Sequence, residues 1–259
     1  MSAALFCEIL KLRRSWLPWL TLAACTLAAA VGGLFTFISQ DPDRARALGL
    51  LGAKAQLAAV TPNWPGYLDL IAQIIGVGGL LIFGMTTLWI FGREFSDRTV
   101  KDLLALPTTR AAIVCAKFAA GAVWCLILTG YTLLVGLVIG GLLELHGWTG
   151  AALLGGSTRV LLTAVMTIAL VTSFAVAASI GRGYLPAVGA LFGALFTAQI
   201  VAALGYGHWY PYSVPALYSG LAGIDQPPPT VVGYFGVVVV AVASIAATAL
   251  WWRNADHAQ

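Results

Sequence analysis

The sequence predicts an all-α integral membrane protein built on six transmembrane helices. Three observations predict it. Of 259 residues, 60% are hydrophobic and 9% charged, whereas soluble domains carry about 25% charged residues. Mean hydropathy is +0.90. Six apolar stretches each reach the roughly 20 residues that a helix needs to cross a bilayer.

The chain opens with a short amphipathic segment. Leu5, Phe6, Ile9, Leu10, Trp16 and Leu17 recur at helical spacing, while Glu8, Lys11 and Ser15 face away. This pattern predicts an interfacial helix lying flat at the inner surface, with Lys11, Arg13 and Arg14 as anchors. The first span runs from Pro18 to Ile38. Leu22-Ala23-Ala24-Cys25 imitates a lipoprotein processing box, but the apolar run continues past Cys25, unlike a cleaved signal. An outer connection ends in the turn-rich Thr61-Pro62-Asn63-Trp64-Pro65-Gly66.

The second span is read from Tyr67 to Phe91 and the third from Phe118 to Leu143. The fourth, Val160 to Ile180, meets the fifth, Tyr184 to Leu204, through the tight turn Gly181-Arg182-Gly183. The sixth runs from Val231 to Trp252. Before it, the long aromatic loop Gly205 to Thr230 is expected to dip back into the outer leaflet against protein. The whole chain, 1–259, reads as a single transmembrane domain.

An even number of spans puts both termini on one side. Lys11, Arg13, Arg14, Arg93, Arg98, Lys101, Arg110, Lys117, Arg182 and Arg253 share that side, so the termini are expected to be cytoplasmic. Gly136-x-x-x-Gly140 and Gly189-x-x-x-Gly193 place small residues one turn apart, which allows close helix approach. The four cysteines form no exported disulfide framework, and no Cys-x-x-Cys or His cluster suggests a metal. No basic stripe with interleaved aromatics points to nucleic acid.

The densest charge in the chain lies between the second and third spans, from Arg93 to Arg110. Ser96 can cap a helix that ends before Pro107, and Thr108 or Thr109 can cap the next. Glu94 with Arg98, Asp97 with Lys101, and Arg98 with Asp102 are spaced i,i+4. Phe95, Thr99, Leu103 and Leu106 share one face. Topology alone requires positive charge. Mixed signs around an apolar stripe suit docking into a groove on a soluble partner.

On these residues the chain resembles the ABC-2 class of ABC transporter permeases. The resemblance rests on aromatic-Gly-Arg-Glu ending the second span, on Arg98-Thr99-x-Lys101, Leu103-Leu104, Pro107 and Arg110, and on Ala116-Lys117-Phe118. Tyr210-Pro211-Tyr212-Ser213-Val214-Pro215 adds to it. The chain is most similar to the small six-span permeases of the bacitracin-resistance and lantibiotic-immunity type. The resemblance implies a permease that dimerises with a second copy or a paralogue in the bacterial cytoplasmic membrane. It implies two cytoplasmic ABC ATPase subunits, which hold the ATP and Mg. A cytoplasmic coupling helix between the second and third spans would sit in a cleft of the ATPase. Glu94, Asp97, Arg98 and Lys101 would then make polar contacts to the ATPase. Phe95, Leu103 and Leu104 would anchor the helix and Pro107 would end it. Arg110 and Lys117 would pin the next helix at the interface. The expected cargo is an amphipathic or hydrophobic compound such as a peptide antibiotic, moved outward as drug efflux.

Other readings fare worse on the residues. No lysine follows a glycine, so no phosphate loop exists and this chain is not expected to be an enzyme or to bind a cofactor itself. The middles of the spans lack the ionisable groups that ion-coupled carriers use. No nucleophile–base set sits at mid-depth, which disfavours an intramembrane enzyme. A scaffold that transports nothing would use the charged helix equally well. Gln73, Thr86, Thr87, Thr197 and Gln199 are the polar residues expected along a path lined by spans two and five.

Overall fold

The computed structural model describes residues 2–41, 61–100, 109–221 and 227–254, and these form a helical bundle. Helix α1 (Ser2–Arg13) precedes α2 (Leu17–Gln40). The second span comprises α3 (Trp64–Gln73), a π-helical turn (Ile74–Gly78) and α4 (Gly79–Ser96). Next come α5 (Arg110–Leu142), α6 (Gly150–Ile180) and α7 (Tyr184–Ala203). A 3-10 turn (Pro211–Ser213) leads into the short α8 (Val214–Tyr218), and α9 (Val231–Asn254) is the last span. Six helices are long and apolar enough to cross a membrane.

Several helices outrun the apolar stretches that announce them. Helix α5 begins at Arg110, ahead of its apolar stretch and at the Thr109 cap the sequence offers, whose side chain accepts from Ala112 N at 3.3 Å. Helix α6 begins at Gly150, where Thr149 accepts from Ala152 N at 3.2 Å. Such caps satisfy amide groups that would otherwise be orphaned at a helix start. Asn63 caps α3 in the same way, through Gly66 N. The start of α3 is also tied to the α5–α6 turn. Trp64 N donates to His146 O at 3.0 Å, and its ring meets Trp148 edge-on at 4.5 Å.

Helix α6 is the centre of the bundle, packed against α3, α4, α5, α7 and α9. Helix α2 leans mainly on α5. The loop after α7 enters the bundle, as its apolar composition suggests. Val214 and Ser213 are buried, Tyr212 Oη donates to Ser173 Oγ at 2.7 Å, and Ser213 Oγ donates to Ala198 O. The π turn lies beside this loop. A side chain at Gly76 would place its Cβ 3.1 Å from the Pro215 carbonyl, so glycine is what lets the loop come this close.

Candidate functional site

The C-terminal end of α4 holds the main concentration of buried charge among the described residues. Glu94 is 3% exposed and Lys117 1%. One Glu94 oxygen accepts from Lys11 Nζ at 2.7 Å and from Lys117 Nζ at 3.0 Å. Its other oxygen accepts from Thr99 Oγ1 at 2.6 Å. Lys117 Nζ also donates to Glu8 at 3.1 Å and to the Ile90 carbonyl at 3.1 Å. Lys11 closes the ring by donating to Glu8 at 3.2 Å. An ammonium group has three donors, and those of Lys117 are all used.

Two carboxylates and two ammonium groups thus alternate, drawn from α1, α4 and α5. Each charge would be costly to bury alone, and mutual pairing with full hydrogen bonding is what makes the cluster tolerable. Burial works against the charged form of Lys11, but its hydrogen bond to Glu94 and the charges of Glu8 and Glu94 outweigh it. Its pKa therefore lies above the usual lysine value of 10.5.

This arrangement corrects three expectations. Glu94 does not face a soluble partner; it is the hub that joins α1 to α4 and α5. Lys117 does not snorkel to the interface, because two carboxylates and a carbonyl meet it inside the bundle. The polar edge of α1 does not face water. Glu8 is buried against Lys117, while Phe6 and Ile9 point outward from the protein. Amphipathic reasoning assigns charge to solvent, and here opposite charge elsewhere in the chain claimed it.

The chain leaves this hub through a defined stop. Helix α4 runs through Ser96, so Ser96 ends a helix rather than capping a new one. Thr99 N donates to Glu94 O at 3.0 Å and Arg98 N to Phe95 O at 3.3 Å. Arg98 occupies the left-handed region at φ 58°. This is the Schellman geometry, in which glycine is the usual residue at the left-handed position. The break removes the anticipated Glu94–Arg98 spacing, and Arg93 pairs instead with Asp97 at 3.1 Å. Asp97 and Arg98 are exposed. Lys101, Leu103, Leu104 and Pro107, with Asp102, Leu106 and Thr108, lie outside the described residues.

On either side of that segment the chain is fastened to the last span. Phe95 packs at 5.7 Å from the rings of Trp251 and Trp252, so it is committed within the bundle rather than free to anchor a partner. Arg110 donates to the carbonyls of Trp252 and Arg253 at 3.2 and 3.1 Å. Those carbonyls end α9, where the helix dipole favours a cation. Trp252 is fully buried and donates from its indole to Ser179 at 3.0 Å. Arg13 and Arg14 remain exposed.

The polar residues expected along a path are dispersed within this chain. Thr86 and Thr87 are buried and satisfied by the carbonyls of Ile82 and Phe83. Thr87 lines an apolar cavity that also reaches Lys117. Thr197 is exposed and shares a hydrogen bond with Tyr210. Gln199 lines a second cavity, of about 280 Å³, between the π turn, α7 and the entering loop. Gln73 is half-buried one residue before the π turn and does not line that cavity.

Sequence reasoning overlooked Glu8 and Thr99 as members of the cluster. The available signal was rarity: a glutamate in an otherwise apolar and basic first helix needs a partner.

Residues 4–198 match the model of the family described as ABC-2 family transporter protein. The chain is also 23% identical over 191 residues to the bacitracin transport permease protein BCRB of Bacillus licheniformis. That alignment covers 73% of this chain and 90% of the relative.

Proposed function

The chain belongs to the ABC-2 transporter family and is a multi-pass membrane subunit, and from that premise we propose that it is the permease of an ATP-driven exporter. Energy would come from two copies of a separate cytoplasmic ATPase, which binds the ATP and Mg. A second permease, identical or paralogous, would complete the pathway, with both termini on the cytoplasmic side of the inner membrane. The name of the bacitracin permease relative supports a peptide antibiotic or similar amphipathic compound as cargo.

The observation that carries this reading is the way the segment between the second and third spans is held. Asp97 and Arg98 emerge into solvent from a turn whose root, Glu94, is clamped to α1 and α5. Beyond the segment, Arg110 is fixed to the end of α9. Force applied by a partner there would reach four helices rather than bend one loop. The bare face of α7 is where the second copy would pack, since Ala187 and Leu191 alone are buried along its length.

The test is co-purification with the ATPase subunit, then measurement of cargo-stimulated ATP hydrolysis in vesicles. Asp97→Lys combined with Arg98→Glu should insert normally yet lose the ATPase. Unchanged co-purification and unchanged stimulation would refute the proposed docking.

A further inference from the structure

A cleft of about 280 Å³ opens between α1 and the inner end of α4, lined by Cys7, Leu10, Lys11, Arg14 and Arg93. Three of these five residues are cations and none is acidic. Lys11 is engaged by Glu8 and Glu94, and Arg93 uses its Nε on Asp97. The Arg93 guanidinium lies over the Trp89 ring at 5.0 Å, which fixes its plane and leaves its terminal nitrogens as donors. Among the described residues the Arg14 side chain makes no hydrogen bond or ion pair. The cluster beside the cleft is already balanced, two carboxylates against two ammonium groups, and Asp97 balances Arg93. Arg14 is therefore the charge left over.

The depth of the cleft is set by its neighbours. Phe6, Ile9, Trp16 and Trp19 are exposed on the protein surface close by in sequence, Trp16 at 79%. Such side chains belong at the boundary of headgroups and acyl chains, not in water. An acidic soluble protein covering the cleft would have to cover them too. A lipid presents both chemistries at once, an anion above and hydrocarbon below. Leu10 and Cys7 supply an apolar wall to match.

We propose that this cleft binds the phosphate headgroup of an anionic phospholipid in the leaflet where α1 lies, with Arg14 and Arg93 as its donors. The site depends on membrane insertion alone and not on the export reading. Its occupancy would hold α1 against α4 from outside, while the Glu8–Lys117 and Lys11–Glu94 pairs hold it from inside.

Cys7 provides a reporter, being exposed and part of the cleft wall. The other exposed cysteine, Cys115, is replaced by serine. The full chain is placed in vesicles of phosphatidylcholine with and without phosphatidylglycerol. The reaction rate of Cys7 with the uncharged reagent N-ethylmaleimide is then measured. Phosphatidylglycerol should slow the reaction, and Arg14→Gln should remove the protection. Arg13→Gln, which changes a charge off the cleft, should leave it in place. Mass spectrometry of lipid retained after detergent extraction gives the second measurement. Each of Arg14→Gln and Arg93→Gln should lower the retained phosphatidylglycerol about five-fold, and Arg14→Lys should restore part of it.

Equal labelling rates in the two vesicle types would overturn the proposal. So would equal effects of Arg13→Gln and Arg14→Gln, which mean diffuse surface attraction. Protection by glycerol 3-phosphate in pure phosphatidylcholine vesicles would assign the cleft to a soluble phosphate instead. Full lipid retention by Arg14→Gln together with loss of the ATPase would assign it to the protein partner. If Arg93→Gln fails to insert, the Arg14 variants decide the matter alone.

Discussion

The face of α5 that carries Gly136 and Gly140 is filled by α3, whereas α7 is open at Gly189 and Gly193 among the described residues. A side chain at Gly136 would drive its Cβ into Ile71, and one at Gly140 would reach 2.7 Å from Trp64. A Cβ at Gly189 or Gly193 would meet no atom of the described residues within 4 Å outside its own stretch of helix backbone. The contrast extends past the glycines. On the α3–α5 side sit the charge cluster shared with α1 and α4 and the Trp64–Trp148 contact. On the α7 side sit Gln199, its cavity and the exposed Phe192, Phe196 and Ile200. Interior structure is finished on one side and open on the other, where the proposed second copy would pack.

The largest effect should come from breaking the finished side at its hub. Glu94→Gln leaves Lys117 with Glu8 alone and should cost about 3–5 kcal/mol, because a buried charge loses a partner. Thermal unfolding of the detergent-purified protein would read this as a large fall in Tm. Adding Lys117→Met should recover part of the loss, since the coupled pair is removed together. Recovery of nothing would mean the two residues act independently.

Next in size is Gly140→Leu, which drives a side chain into Trp64 and Tyr67 and should cost about 1–3 kcal/mol by overpacking. The same unfolding measurement applies, with lower expression as a second sign.

The bare side sharpens the contrast. Gly193→Leu should change the stability of the single chain by no more than about 0.5 kcal/mol. It should instead lower the fraction of paired permease seen by cross-linking in vesicles. A stability loss like that of Gly140→Leu would show that the face is not free.

The smallest effect concerns pH. The Lys11 pKa is raised by its partners, so its contribution is complete below the usual value of 10.5 and fades as pH rises through the higher value of the folded protein. Release of α1, tracked by the reactivity of Cys7 after correction for thiolate content, should begin only in strongly alkaline solution. Release near neutral pH would contradict the pairing.

The fold was largely legible because length and hydropathy of a span are local properties. The start of α6 was less so, since Thr149 prolongs that helix beyond the apolar residues, whereas the Thr109 cap of α5 was readable as a threonine just past Pro107. The charge cluster was legible only in pieces. Lys11, Glu94 and Lys117 stand out in an apolar chain, but nothing local says that residues 83 and 109 positions apart will meet. The left-handed turn at Arg98 was hidden because no glycine marks it. The two glycine pairs look alike for a related reason: spacing describes a helix face, and what lies opposite belongs to another segment.

The π turn at Ile74–Gly78 has a consequence for how the second span could change in evolution. One additional residue in a helix offsets everything beyond it by roughly 100°. Its N-terminal portion, with Trp64 meeting His146 and Trp148, and its C-terminal portion, with Glu94 meeting two lysines, therefore agree in phase only because that residue is retained. Loss of any one amino acid there would leave hydropathy and charge almost untouched, yet would put the two ends at odds. A lineage that dropped it would have to re-register one end or abandon its contacts.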